Sequence, residues 1–383
     1  MEIKILFVGS GPADPENIPM QEKYKSFSRF FEGYIVSPVD PTGYKEYLNI
    51  KQIGKFKFFP FKYHVGNSFI RNIKYFIFTV YKTLKLHYSG QKYNIIISPN
   101  PLMTGIIALL VGKITSSKVI VEVNGNFDSA FKKDKAKTNY TEIIKHYVSK
   151  IILPFVLTKA DMVKLVYKDQ LLPLQIKNIN KIRWISFANF VPISQFETKS
   201  IVDKKYILLL GQPWHLKGVD ILIKAFDRIS SQVPEYSLKV VGWCPEGRGY
   251  FEDLAKGNDK IELCEPVFYD EVIKLMSECS MYVLASRTDS SPRVLREAMA
   301  SKKPIVASNI DGVPDLIIDK YNGLLFKSED IDDLAAKMLA VLTDKNLATT
   351  IAENGYKFVH ENLSEECYIK NYTKLIDEVF HDR

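Results

Sequence analysis

The chain has 383 residues, enough for two domains, and its 46% apolar and 25% charged residues are the balance of a folded, water-facing protein. No apolar stretch reaches transmembrane length, and the N-terminal apolar run is too short for a secretory leader, so a protein without a leader or span is expected. The formal net charge of +8 is unevenly divided. Residues 1–190 hold 28 Lys/Arg against 13 Asp/Glu, a balance of +15, and residues 191–383 hold 24 against 31, a balance of −7. Such asymmetry turns the first half toward a polyanion or an anionic membrane. Cys244, Cys264, Cys279 and Cys367 have neither metal nor redox spacing, which predicts free thiols in a reducing cytoplasm.

In chain order, Ile3–Val8 reads as a strand running into Gly9-Ser10-Gly11-Pro12-Ala13-Asp14. A dinucleotide-binding loop would need glycine where Asp14 stands, and Pro12 and Pro15 oppose an immediate helix, so that reading is rejected. Ser68–His87 mixes aromatics with Arg71, Lys74, Lys82 and Lys85. It is either a sheet-covering helix with a solvated basic edge or a helix lying on lipid headgroups. Its apolar residues run nearly all the way round, so part of it belongs to a core. Ile95–Ile97 and Lys118–Val123 read as parallel strands. The second runs into Asn124-Gly125-Asn126, where Asn124 can hydrogen-bond a hydroxyl or phosphate oxygen but does not titrate near neutrality. A basic run at 132–137, by default a solvated face, precedes a helical segment at Tyr140–Leu157. Met162–Val166 is a further strand, and Lys181–Ile185 leads to Asn189 and on to Phe196.

In the second half, strand Tyr206–Leu210 enters the loop Gly211–Gly218, with Lys217 near its end, and then a helix at Val219–Ile229. Leu238–Gly242, Ile261–Leu263 and the turn Pro266-Val267 precede a helix near Tyr269–Cys279. Met281–Leu284 is a short apolar run of the kind buried in parallel sheets. It leads through Asp289, Ser290 and Ser291 to Pro292, suited to a first helical turn, and to the helix Val294–Ala300. Backbone N–H groups and the helix dipole make such a turn a site for phosphate. Glu297 lies eight residues beyond Asp289, so both carboxylates are placed to reach one ligand. A strand at Lys303–Ala307, a turn at Asp311–Asp315, the stretch Asn322–Phe326 and helices at Ile331–Leu342, Ala348–Glu361 and Ser364–Phe380 complete the chain. Asp330 and Asp332 open a helix, where acids complement the dipole, and no metal is expected there.

Four segments, at Asn189, at Gly211–Gly218, at Asp289–Ala300 and at Asn322-Gly-Leu-Leu, resemble in sequence order the motifs of retaining glycosyltransferases of family 4. The third follows that family's Glu, seven residues, Glu, Ala-Met-Ala, with Asp289 in place of the first Glu. The resemblance implies an α/β protein of GT-B fold, two Rossmann-like doubly wound parallel-sheet domains facing across a cleft. Residues 1–195 would bind the acceptor, 196–362 the nucleotide sugar, and 363–383 would form a helix crossing back. Lys217, with the N–H groups of Ser290 and Ser291 in the turn closed by Pro292, would stabilise the departing diphosphate; Gln212 stands where the family has Arg. Glu297 would hold the ribose, Asp289 the donor sugar and the backbone at Val267 the base. Asn124 takes the place of a frequent His near the donor sugar, Gly11 would approach donor or acceptor, and Pro192 replaces a usual Asp.

The implied reaction is retaining, metal-independent transfer of a hexosyl group, without cofactor, from a UDP- or GDP-linked sugar to a glycan hydroxyl. The acceptor is expected to be lipid-linked, in cell-surface polysaccharide or glycan biosynthesis. The enzyme is expected to be cytoplasmic and peripheral at the anionic inner face of the membrane, with no nucleic-acid partner. A sugar-nucleotide epimerase or phosphorylase on the same fold, and a basic nucleic-acid-binding protein, are the alternatives.

Overall fold

The computed structural model describes residues 3–40, 42, 44–63, 68–126, 140–197, 203–244 and 247–380; the basic run at 132–137 lies outside them. The chain divides into two compact units, Met1–Phe190 with Tyr368–Arg383, and Val191–Cys367.

The first unit is built on an eight-stranded sheet. Its strands are β1 (Lys4–Val8), β2 (Glu32–Val39), β3 (Gln52–Ile53), β4 (Phe56–Lys62), β5 (Ile95–Ser98), β6 (Lys118–Val123), β7 (Met162–Leu165) and β8 (Trp184–Ser186), in the spatial order β3-β4-β2-β1-β5-β6-β7-β8. All neighbours are parallel except β3 and β4, which pair antiparallel as a hairpin. Gly54, at φ +57°, supplies the left-handed residue that so tight a connection needs. Successive side chains of a strand point to opposite faces. Leu6 and Val8 therefore join one core and Ile5 and Phe7 another, and both cores are buried. This is why β1 and β5 read as apolar runs.

Helices α1 (Ile18–Phe27), α2 (Tyr44–Tyr47), α3 (Ser68–Tyr88), α4 (Met103–Thr115) and α5 (Tyr140–Lys159) belong to this unit. Helices α3, α4 and α5 form one layer, through Leu86, Ile107, Val111, Leu153 and Val156.

The second unit holds a six-stranded, wholly parallel sheet in the order β11-β10-β9-β12-β13-β14. Its strands are β9 (Tyr206–Leu210), β10 (Ser237–Val241), β11 (Ile261–Cys264), β12 (Met281–Leu284), β13 (Ile305–Ser308) and β14 (Leu324–Phe326). Strand order reverses between β9 and β12, the topological switch point beside which ligands bind in such sheets. Helices α6 (Val219–Ile229), α7 (Arg248–Ala255), α8 (Tyr269–Glu278) and α9 (Arg293–Ala300) connect the strands, and α10 (Ile331–Thr343) and α11 (Lys345–Leu363) follow β14. Asp330 caps α10 by accepting the Asp333 N–H at 3.1 Å.

The last helix, α12 (Glu365–Phe380), is counted from Tyr368 onward with the first unit. Tyr372, Leu375 and Val379 enter the same core as Phe7, Tyr24 and Phe27, so α1 and α12 cover the sheet face opposite to α3, α4 and α5.

Candidate active site

Two chain segments leave the C-terminal ends of the neighbouring strands β9 and β12 and meet. The first, Gly211–Gly218, is held from beneath by Trp214. Its fully buried ring packs edge-on against Phe251, with the Arg248 guanidinium 5.2 Å from its centroid. Gly218 ends the loop at φ +65°, and a Cβ there would come within 1.9 Å of the Ala285 carbonyl oxygen. Only glycine permits both that conformation and that approach, so the Lys-Gly pair fixes where Lys217 emerges.

The second segment, Ala285–Pro292, is anchored by Arg287. Its guanidinium donates two hydrogen bonds to the Asp220 carboxylate, both 2.8 Å, and one to the His215 carbonyl at 2.6 Å. Its backbone N–H donates to the Leu216 carbonyl at 2.8 Å. Burial alone would raise the Asp220 carboxyl. The hydrogen bonds and charge of Arg287 outweigh that and hold it below the ordinary range. A bidentate Arg–carboxylate pair fixes orientation as well as distance, so Arg287 ties the two segments into one body.

On that body Lys217 Nζ lies 2.6 Å from Asp289 Oδ2, with both side chains largely buried. Asp311, at φ +43°, accepts the Thr288 hydroxyl at 2.5 Å and the Asp289 N–H at 2.9 Å. The anion site expected of this turn is thereby narrowed. The Asp289 N–H is already spent on a carboxylate, so an incoming phosphate has the N–H groups further along, at Ser290 and Ser291, to address. Ser290 and Pro292 are buried, and Pro292 occupies the N-cap position, one residue before the first turn of α9. Gln212 is exposed on the first loop, and its peptide bond to Pro213 is cis.

Glu297 is placed differently from an open acceptor of hydroxyls: it is fully covered. Its Oε1 takes the Arg293 guanidinium at 2.9 Å and the Tyr269 hydroxyl at 3.3 Å, while its buried Oε2 has no hydrogen-bond partner among the described residues. Burial pushes the carboxyl above its ordinary range, against the pull of Arg293, Arg296 and the Tyr269 hydroxyl. Val267 is partly exposed in the turn before α8.

Asn124 and Gly11 belong to the first unit. Asn124 donates through Nδ2 to the Pro99 carbonyl at 3.0 Å and to Glu122 Oε2 at 2.9 Å. Two acceptors around one NH₂ fix which way the amide points. The opposite oxygen, Oδ1, is buried without a hydrogen-bond partner among the described residues. Asn124 also lines a cavity of about 330 Å³ with Ser10, Pro99, Asn100, Gly125 and Asn126. Gly11 has open space where a Cβ would stand, so packing does not demand glycine there.

The structure thus joins Lys217, Asp289, Ser290, Ser291, Pro292 and Gln212 on two adjoining loops. It reveals Arg287, Asp220 and Asp311 as their supports and Tyr269 as a support of Glu297, none of which the sequence motifs single out. A signal for two of these exists: Arg287 lies two residues before Asp289, and Asp220 lies two residues after Gly218.

Residues 191–358 match the family model described as glycosyl transferases group 1. An uncharacterized glycosyltransferase of Methanocaldococcus jannaschii, MJ1178, is 34% identical over 182 residues, which span 46% of this chain and half the length of that relative. A second from the same organism, MJ1069, is 24% identical over 93% of this chain and 92% of its own length. Among solved structures, sucrose-phosphate synthase of Thermosynechococcus elongatus superposes with a TM-score of 0.79 at 16% identity, covering 98% of this chain and 99% of that one. Anabaena HepE, in complex with UDP-glucose, superposes with a TM-score of 0.72 at 14% identity, covering 98% and 100%. The loop and turn that carry Lys217 and Asp289 both fall inside the matched region, so residues 191–358 are similar to the glycosyl transferases group 1, and the two sheets are those of the GT-B fold.

Proposed function

We propose that the protein transfers a hexosyl group from a UDP- or GDP-linked donor to a hydroxyl of a glycan acceptor, with retention of anomeric configuration. The observation that carries this reading is the Lys217–Asp289 pair at the N-terminal end of α9. It sets one cation and one carboxylate beside a helix start that favours phosphate. In the reaction the bond between the anomeric carbon and the diphosphate oxygen breaks, and its electron pair leaves on the diphosphate. The acceptor oxygen bonds the same carbon from the same face, and its proton departs with the diphosphate. Negative charge therefore grows where Lys217 and the N–H groups of Ser290 and Ser291 are fixed beforehand, and such donors act most strongly on developing charge.

Asp289 accepts hydrogen bonds from donor-sugar hydroxyls once Lys217 has turned to phosphate. The orphaned Oε2 of Glu297 supports its role as acceptor for a ribose hydroxyl, since a buried carboxylate oxygen without a partner is costly until one arrives. Arg293, whose side chain is 47% exposed, is free to swing off it. The backbone at Val267 lines the base, Asn124 receives a donor-sugar hydroxyl, and Gly11 leaves room for the acceptor. Residues 1–195 bind that acceptor, a lipid-linked saccharide in surface-glycan synthesis. A relative from Campylobacter jejuni, 30% identical over 112 residues, is named as an N,N'-diacetylbacillosaminyl-diphospho-undecaprenol alpha-1,3-N-acetylgalactosaminyltransferase, which supports a lipid-linked acceptor.

The test is a panel of UDP- and GDP-linked sugars, scored by thermal stabilisation and by slow donor hydrolysis. One donor should stand out on both, and its released sugar should keep the donor's anomeric form at early times. A panel in which none stabilises the protein or is cleaved overturns the reading.

A further inference from the structure

Helices α3, α4 and α5 turn their inner faces to the first unit's sheet, and their outer faces are apolar. Ile73, Ile77 and Tyr81 on α3 are 43%, 61% and 60% exposed, Ile114 on α4 is 44% exposed, and Ile151 and Phe155 on α5 are 75% and 55% exposed. On α3 and α5 these positions recur at helical spacing, opposite the buried Tyr75, Thr79 and Leu153, so with Ile114 they form the outer surface of one helical layer. Single exposed apolar side chains are ordinary; a surface of them across three adjoining helices marks something that covers it.

The charge around this surface says what that is. Residues 47–121 contain eleven Lys/Arg and no Asp or Glu, and the three helices together contain eight Lys/Arg and one Glu. Lys74, Lys85 and Lys113 are exposed on the same helices as the isoleucines. We propose that this layer is a docking face for an anionic lipid bilayer. Its isoleucines and aromatics enter the headgroup–acyl boundary, and its lysines reach lipid phosphates along apolar stems. The contact is lateral, since no described helix is long and apolar enough to cross a membrane. A second copy of the chain fits poorly, because a two-fold contact through this face would set two like-charged rims against each other. A protein partner fits poorly as well, because lysine is depleted in protein–protein interface cores. The inference stands on the first unit alone and does not depend on the transfer reaction proposed above.

The test is flotation of the full chain with vesicles of phosphatidylglycerol and phosphatidylcholine in equal parts, against vesicles of phosphatidylcholine alone. The protein should float with the anionic vesicles at low salt. Added salt should reduce the binding without abolishing it, because the apolar part is not screened. A basic residue near an anionic leaflet contributes about fivefold, so Lys74→Gln, Lys85→Gln and Lys113→Gln together should lower partitioning roughly 100-fold. Ile77→Ser, Ile114→Ser and Ile151→Ser together should lower it at least tenfold while the melting temperature stays at the parent's value. Equal binding to both vesicle types, or binding that salt removes entirely, overturns the proposal. So does an isoleucine variant that converts a dimer into a monomer, which would give the face to a second copy. Should the triple isoleucine variant unfold, the salt titration of the unaltered protein decides alone.

Discussion

Lys217 and Asp289 form a direct ion pair, Nζ to Oδ2 at 2.6 Å, across the junction of two loops. In the proposed reaction one of them serves the diphosphate and the other the sugar. The pair therefore has to open as the donor binds, and each residue's charge is a competitor for the other's ligand. Asp289→Asn removes the competitor and the repulsion between carboxylate and phosphate. It should tighten binding of the nucleoside diphosphate product by about 1 kcal/mol, roughly fivefold, the upper end for a pair that retains some solvent contact, while slowing transfer. Lys217→Ala should slow transfer by roughly 100- to 1000-fold, the scale of losing a fixed donor at a developing anion, and leave binding of a nucleoside without phosphates unchanged. Calorimetry of the diphosphate and the nucleoside, with single-turnover rates, separates the two variants. Weaker diphosphate binding in Asp289→Asn would show that Asp289 positions Lys217 rather than competing for it.

Glu297 offers a test in which stability and binding move apart. Its folded-state carboxyl holds a proton more readily than the ordinary value of 4.5, because burial dominates. The folded form is therefore the better proton binder over that window, and stability is lost as pH rises from 4.5 through the folded value. Glu297→Gln abolishes that loss. Its melting temperature at neutral pH should equal or exceed the parent's, while affinity for the nucleotide falls by about 1.5–3 kcal/mol, the worth of a charged hydrogen bond. Unchanged nucleotide affinity would remove Glu297 from the ribose site. A lowered melting temperature would show that it chiefly anchors Arg293 and Tyr269.

The motif residues were visible in the sequence because they lie on segments with strong local signals. An apolar run followed by a helix start locates Asp289 and Glu297, and Lys-Gly before an amphipathic helix locates Lys217. The elements α1, β2, β3 and β4 have no counterpart among the predicted ones. Glu32–Val39 carries a proline near its end, and Phe56–Lys62 alternates lysine with aromatics around Pro60, so neither shows the clean apolar run that reveals β12. Supports such as Asp311 and Tyr269 lay out of reach for a different reason. Their partners are 22 and 28 residues away in sequence and meet them only through the sheet. The burial of Glu297 could not be read either, since it depends on where α8 packs.

Arg287 and Asp220 should act mainly on stability. Each side chain is 11% exposed, and removing one partner of a pair buried to that degree leaves the other charge uncompensated. Arg287→Ala should destabilise the protein by about 3–5 kcal/mol. Arg287→Lys should recover only part of this, because an ammonium cannot bridge both carboxylate oxygens while also reaching His215. The Asp220 carboxyl is held below its ordinary 3.8, so its contribution is complete above that value and lost as pH falls through the lowered folded value. Denaturant unfolding at a series of acidic pH values should show Asp220→Asn with a shallower acid limb than the parent. Parallel limbs would mean that the pair contributes no net stability.

Asn124 can be tested through the carboxylate that orients it. Its NH₂ group donates to Glu122 Oε2 and to the Pro99 carbonyl, and the other Glu122 oxygen accepts the Tyr372 hydroxyl from α12. Glu122 is 3% exposed, so solvent does little to screen a second charge brought against it. Asn124→Asp replaces the donor by a carboxylate facing another, and two carboxylates so close do not both ionise. The variant should be less stable than the parent at neutral pH. The deficit should shrink as pH falls, because the folded protein then binds the extra proton more tightly than the unfolded chain does. Asn124→Ala should cost about 1–3 kcal/mol through the acceptors it leaves unpaired. Tyr372→Phe removes the far hydrogen bond while leaving the cavity's lining untouched. If Asn124 receives a donor-sugar hydroxyl, Asn124→Ala should lower the transfer rate well beyond any change in melting temperature, and Tyr372→Phe should lower it less. Equal rates in the parent and in folded Asn124→Ala would leave Asn124 a structural residue of the β6 turn.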